Sequence, residues 1–130
     1  MSFMEEFLNF DEVLENHRQW RTRMEVYFKN PDYSIDTRPI LNGKAFPIWK
    51  WFRDNGHLFI NLPQYAALVE SQTRFRTALA DAVVKANSLV VRNPEYVIGE
   101  QSEFGRALQS FERDLTEFRS RTRLMTGALA

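Results

Sequence analysis

Three polar residues stand on stripes that are otherwise apolar, and their types are ones that hold ligands or bind charge. They are the imidazole of His17, the amide of Gln72 and the guanidinium of Arg76. His17 interrupts the series Phe10, Val13, Trp20, Met24 and Tyr27, which repeats at alternating three- and four-residue spacing. Gln72 and Arg76, one helical turn apart, fall on or beside a second stripe of Tyr65, Leu68, Val69, Phe75, Leu79, Ala82, Val83 and Ala86. Burying such a group without a partner costs roughly 1–3 kcal/mol when neutral and more when charged. Two arrangements would supply partners. In one, Arg76 snorkels to the surface and His17 bonds a backbone carbonyl. In the other, all three converge on one interior site.

Other chemistry finds little support. The only other histidine, His57, follows Gly56 in a predicted turn, where a solvated role is expected. The chain has no cysteine, which excludes disulfides, thiolate metal sites and cysteine nucleophiles. There is no P-loop, no dinucleotide glycine pattern and no His-Glu-x-x-His. The reading is therefore of a protein that is not an enzyme.

The elements that must position these residues read as helices. A first helix is predicted over residues 3–28, followed by a loop over 30–43 containing Pro31, Pro39, Asn42 and Gly43. Phe46-Pro47-Ile48-Trp49-Lys50-Trp51-Phe52 predicts one or two helical turns, packed as a lid and stopped at Asn55-Gly56. Asn61 and Gln64 form a capping-box pattern for a long helix ending near Asn87 or Ser88. Asn93-Pro94 starts the last helix, although Gly99 and Gly105 postpone regular structure to about Ser102. Its seam is Phe104, Leu108, Phe111, Leu115, Phe118, Thr122 and Met125, and Gly127 is predicted to end it. The fold class is thus all-α: a four-helix-type bundle of three long helices and one short one. The bundle occupies residues 1–126, and 127–130 form a tail.

Length and charge agree with this. A chain of 130 residues fits one domain and can bury a real core, here rich in its 11 phenylalanines. Seventeen basic and seventeen acidic residues cancel, so no broad field attracts nucleic acid or anionic membrane. Acid crowds the beginning (Glu5, Glu6, Asp11, Glu12, Glu15) and base the end (Arg113, Arg119, Arg121, Arg123), which suits the helix dipoles. No signal peptide and no membrane span are read, so a cytoplasmic location is expected.

Asn16-His17-Arg18-Gln19-Trp20 resembles the His-x-x-Trp motif of the chemoreceptor zinc-binding (CZB) domain family. Phe46-Pro47-Ile48-Trp49-Lys50-Trp51 is similar to that family's Cys-x-Phe/Leu-Gly-x-Trp, and Leu62-Pro63 with the helix after it to the element bearing His-x-x-x-His. The likeness runs from about Phe10 to the C-terminus with order and spacing kept. In the family, a His, a Cys and a His pair hold zinc. The resemblance lays those positions on His17, Phe46, Gln72 and Arg76, of which only His17 retains the ligand type. Phenylalanine and arginine do not coordinate zinc and neutral glutamine is a poor ligand, so the resemblance implies a degenerate site without metal or other cofactor. In its place Arg76 could supply the positive charge, bonded by Gln72 and a neutral His17, with Phe46 filling the vacated space. Trp20 and Trp51 match the family's tryptophans. Trp49 replaces its glycine, which would keep the short helix from approaching its neighbours as closely.

Arg123-Leu124-Met125-Thr126-Gly127-Ala128-Leu129 resembles the Asp-x-Leu-Thr-Gly stretch that opens GGDEF diguanylate cyclase domains, with Met125 for Leu and without the Asp. The two resemblances together imply a bacterial regulatory domain, homodimeric, controlling a GGDEF-type output domain in cyclic di-GMP signalling. The chain would then be the regulatory part of a longer protein, or a descendant without the catalytic part. The alternatives are a stand-alone helical adaptor that docks a partner helix, and a ligand-binding bundle whose ligand is unrecognised.

Overall fold

A computed structural model describes residues 8–89 and 93–129, with side chains through residue 124. Asn9 opens the first helix, its side-chain oxygen accepting from the Glu12 N–H at 3.0 Å. From there α1 (Phe10–Lys29) runs with Asp11 and Glu12 in its first turn and Lys29 in its last, as the helix dipole favours. It starts later than residues 3–28 predict, because Asn9 takes the capping position; residues 3–7 of that expectation lie outside the described residues. Pro31 disfavours helical geometry at Asn30, where α1 stops. The buried face is the predicted one: Phe10, Val13, His17, Trp20, Met24 and Tyr27.

The predicted loop over 30–43 contains a helix, α2 (Thr37–Leu41). Asp36 caps it by accepting from the Arg38 N–H at 3.0 Å. Pro39 is tolerated because a first-turn residue has no intrahelical donor to lose, and the turn is pinned by Ile40, only 1% exposed. Gly43 follows with φ +88°, in the left-handed region that favours glycine. The short aromatic helix, α3 (Pro47–Asn55), has Pro47 in its first turn and buries Ile48 and Trp51. A 3-10 turn (Gly56–Leu58) carries exposed His57, as expected for a solvated turn.

The expected capping box of α4 (Pro63–Asn87) does not form. Pro63 takes the first helical position, so Leu62 is the cap, Asn61 lies outside, and Gln64 stands one place too early to reach back. The helix ends at Asn87, as predicted. The Asn93-Pro94 start yields only one turn, α5 (Glu95–Ile98), with Asn93 Oδ1 accepting from the Glu95 N–H at 3.1 Å. Gly99 then adopts an extended conformation and breaks the chain away. Ser102 begins α6 (Glu103–Leu129): its hydroxyl donates to the Gly99 carbonyl at 2.6 Å and accepts from the Gly105 N–H at 3.0 Å. A side chain at Gly105 would collide with the Gly99 carbonyl, so this close turn requires glycine. Gly127 does not end α6, which continues to Leu129; residues 127–129 are helix rather than tail, and Ala130 lies outside the described residues. The side chain of Met125, the last seam residue expected, also lies outside them.

The three long helices form one bundle, and no strand occurs among the described residues. Phe10 packs on Phe118 while His17 packs on Phe111, so α1 and α6 are antiparallel. Tyr65 meets Phe118 and Phe75 meets Phe104, so α4 and α6 are antiparallel too. Accordingly α1 and α4 are parallel, with His17 beside Gln72 near the middle and Tyr27 bonding Asn87 at one end. The short α2 packs on α4, and Trp51 of α3 closes on Phe59 and Phe118, completing the bundle's fourth wall. No described helix is long and apolar enough to cross a membrane.

Candidate functional site

His17 is fully buried, and both ring nitrogens have assigned work. Nδ1 lies 2.8 Å from the Val13 carbonyl, one turn back on α1. A carbonyl only accepts, so Nδ1 carries the proton and Nε2 is left as an acceptor. The Gln72 side-chain amide faces Nε2 at 3.4 Å and donates to it across the α1–α4 interface. Burial pushes the imidazole down to about 4, against a smaller upward pull from the Val13 carbonyl. At neutral pH the ring is therefore an uncharged aromatic.

Its faces are occupied as an aromatic's would be. Phe111 of α6 stacks on it at 3.9 Å between centroids and 19°, and Phe46 stacks at 5.0 Å and 29°. Phe75 tilts against it at 5.1 Å. Phe46, the cap residue of α3, is itself only 2% exposed and touches both Trp20 and Phe75. Its ring thus packs beside His17.

Arg76 does not join this cluster. One terminal nitrogen donates to the Leu41 carbonyl at 3.1 Å and the other to the Thr73 hydroxyl at 3.1 Å, while Nε is buried without a partner. Partial burial lowers its pKa from the ordinary value, and it has no ion pair among the described residues. The expected bonding of Arg76 by Gln72 and His17 is therefore corrected. A charge beside these packed rings would be desolvated without compensation, and the long side chain instead reaches the Leu41 carbonyl at the end of α2. Both readings of the seam are partly realised: His17 bonds a backbone carbonyl and also meets Gln72, whereas Arg76 runs outward.

The tryptophans lie against neighbouring side chains outside the His17 ring stack. Trp20 is buried beneath the Arg23 guanidinium, which stands 3.9 Å from the ring centroid. Trp51 stacks on Phe59 at 5.5 Å, though its Nε1 is buried without an acceptor. Trp49 is half-buried against Gly43, under the Arg53 guanidinium.

The groups around His17 do not make a zinc ligand set. One imidazole nitrogen is occupied by Val13, the other faces an amide N–H, and phenyl rings close the flanks. No group of three or more His, Asp or Glu side chains stands ready for a metal among the described residues. General acid–base work is equally unsuited to it, since a buried neutral ring cannot reach a substrate proton. Sequence reading named the cluster's polar members but missed Phe111 as the closest ring, and it missed the Tyr27–Asn87 bond and buried Asp114. Phe111 was visible as a seam residue; its register opposite His17 was not.

No protein-family model, no curated protein and no solved structure matches this chain.

Proposed function

We propose that this chain is a regulatory dimerisation domain of the CZB type, with a metal-free core plug, that controls a GGDEF-type output domain in cyclic di-GMP signalling. The observation that carries the reading is the meeting of His17, Phe46 and Gln72, drawn from three separated motifs, around one point in the core. Those are three of the four positions that the resemblance assigns to zinc ligands. The departure of Arg76 removes the fourth and weakens the idea that its charge replaces the metal.

The mechanism follows from connectivity. Phe111 belongs to α6, the helix that would lead to an output domain, and it stacks directly on the plug. A change of packing at His17 would therefore be felt along α6, and in a homodimer paired α6 helices would set the spacing of two cyclase halves.

The test is a fusion of this chain, through α6, to a GGDEF cyclase catalytic domain. The reading expects a dimer by light scattering, and cyclic di-GMP synthesis that changes when Phe111→Leu loosens the stack without abolishing the fold. A monomeric fusion with unaltered synthesis would overturn it.

A further inference from the structure

A second region has the ingredients of a binding site and takes no part in the plug. A cavity of about 410 Å3 opens between the last turns of α1 and the segment that follows it. That volume falls within the roughly 300–1,000 Å3 of small-molecule sites. Arg23 lines it from the helix and Asp32 from the segment, with Val26, Tyr27 and Ile35 supplying apolar wall.

The two charges share the cavity without neutralising each other. No ion pair joins Arg23 to Asp32, and the Arg23 guanidinium has neither hydrogen bond nor ion pair among the described residues. It is nonetheless positioned, standing 3.9 Å from the centroid of buried Trp20. Asp32 is positioned as well: its carboxylate accepts from the Ser34 N–H at 3.1 Å, and the bonds from Ser34 hold its pKa below the ordinary value. Next to Asp32 in the chain, Tyr33 is held with φ 61°, unusual for an aromatic residue, while its hydroxyl donates to the Asn87 carbonyl.

We propose that this groove binds a small zwitterion, its carboxylate on Arg23, its ammonium on Asp32 and its carbon chain against Val26 and Ile35. The C-terminal end of α1 beside Asn30 adds partial negative charge on the ammonium side. A lone anion would meet Asp32 and a lone cation would meet Arg23. Only a ligand carrying both charges satisfies both walls, and a guanidinium suits a carboxylate in particular because it can donate two parallel bonds.

The experiment is an amide-resolved NMR titration of the full chain with glycine, 4-aminobutyrate and dialanine, using butyrate and butylamine as singly charged controls. Saturable shifts centred on Val26, Asp32 and Ile35 are expected for at least one zwitterion, with Trp20 fluorescence changing in parallel. Arg23→Gln and Asp32→Asn should each weaken that binding about ten-fold. Both side chains are exposed, so an unchanged helical circular dichroism spectrum will show that the variants remain folded. The proposal is overturned if no zwitterion gives saturable shifts up to about 10 mM. It is overturned equally if butyrate or butylamine binds as well as the best zwitterion, or if neither variant weakens binding.

Discussion

His17 and Phe111 face each other across the α1–α6 interface with centroids 3.9 Å apart and ring planes 19° from parallel. Such a stack tolerates a neutral imidazole and not a desolvated imidazolium, which gives the fold a pH dependence of definite sign. The ordinary histidine value of 6.5 describes the unfolded chain, and the folded value is about 4. Above pH 6.5 neither state is protonated at this ring and its neutral burial is fully retained. Between pH 6.5 and 4 the unfolded chain binds a proton that the native state refuses, so stability falls as pH falls. The slope approaches 1.4 kcal/mol per pH unit and the total loss is about 3 kcal/mol. Urea unfolding across this range, compared with His17→Phe, checks it: the difference between the two proteins should track pH. A pH-independent difference would show that His17 does not titrate this way.

Gln72 keeps the other nitrogen of that ring satisfied. Gln72→Leu conserves bulk but strips the donor from Nε2, leaving a buried acceptor bare at a cost of about 1–2 kcal/mol. The bond is long, at 3.4 Å, so the low end is expected. Pairing Gln72→Leu with His17→Phe should recover part of the loss, since the second change removes the stranded acceptor. Urea midpoints of the two single variants and the double variant give the coupling, with about 1 kcal/mol expected. Additive losses would mean that the two residues do not interact.

How far the sequence foretold this site depends on which contacts were local. The stripe through His17 is a property of one helix, so its burial with Val13, Trp20 and Met24 was readable from spacing alone. Arg76 shares a stripe with Gln72, but periodicity fixes where a side chain starts and not how far it reaches. Its acceptor, the Leu41 carbonyl, belongs to a helix hidden in a segment whose prolines and glycine spoke for a loop. Asp36 caps that helix, and the loop reading did not take it into account. Likewise Asn61 and Gln64 made a good capping pattern, and the proline between them moved the helix start by one residue. The stacking of Phe111 on His17 depends on the register of two helices far apart in the chain, which no local pattern encodes.

The donor set around His17 also bears on metal. If neither ring nitrogen is free, zinc gains nothing by binding the native state, and ligand linkage gives no stabilisation. Thermal unfolding with and without excess Zn2+ should show the same Tm, and a chelator should leave the circular dichroism spectrum unchanged. A rise in Tm with zinc, lost in His17→Phe, would contradict the assigned hydrogen bonds.

Gly43 joins two of the sequence's expectations, since it lies under Trp49 and beside Arg76. At φ +88° any side chain is strained, by roughly 1–2 kcal/mol. A Cβ there would also collide with the Trp49 ring and stand 2.7 Å from Nη1 of Arg76. Trp49 is only half-buried and can move, but moving it releases its contact with the Arg53 guanidinium. Gly43→Ala should therefore cost about 2–3 kcal/mol, more than backbone strain alone accounts for. In a Trp49→Ala background the same change should cost less, about 1–2 kcal/mol, because the ring is gone and what remains is the strain and a shift of the flexible Arg76 tip. Equal losses in both backgrounds would show that the ring yields freely and that Gly43 matters for its backbone alone.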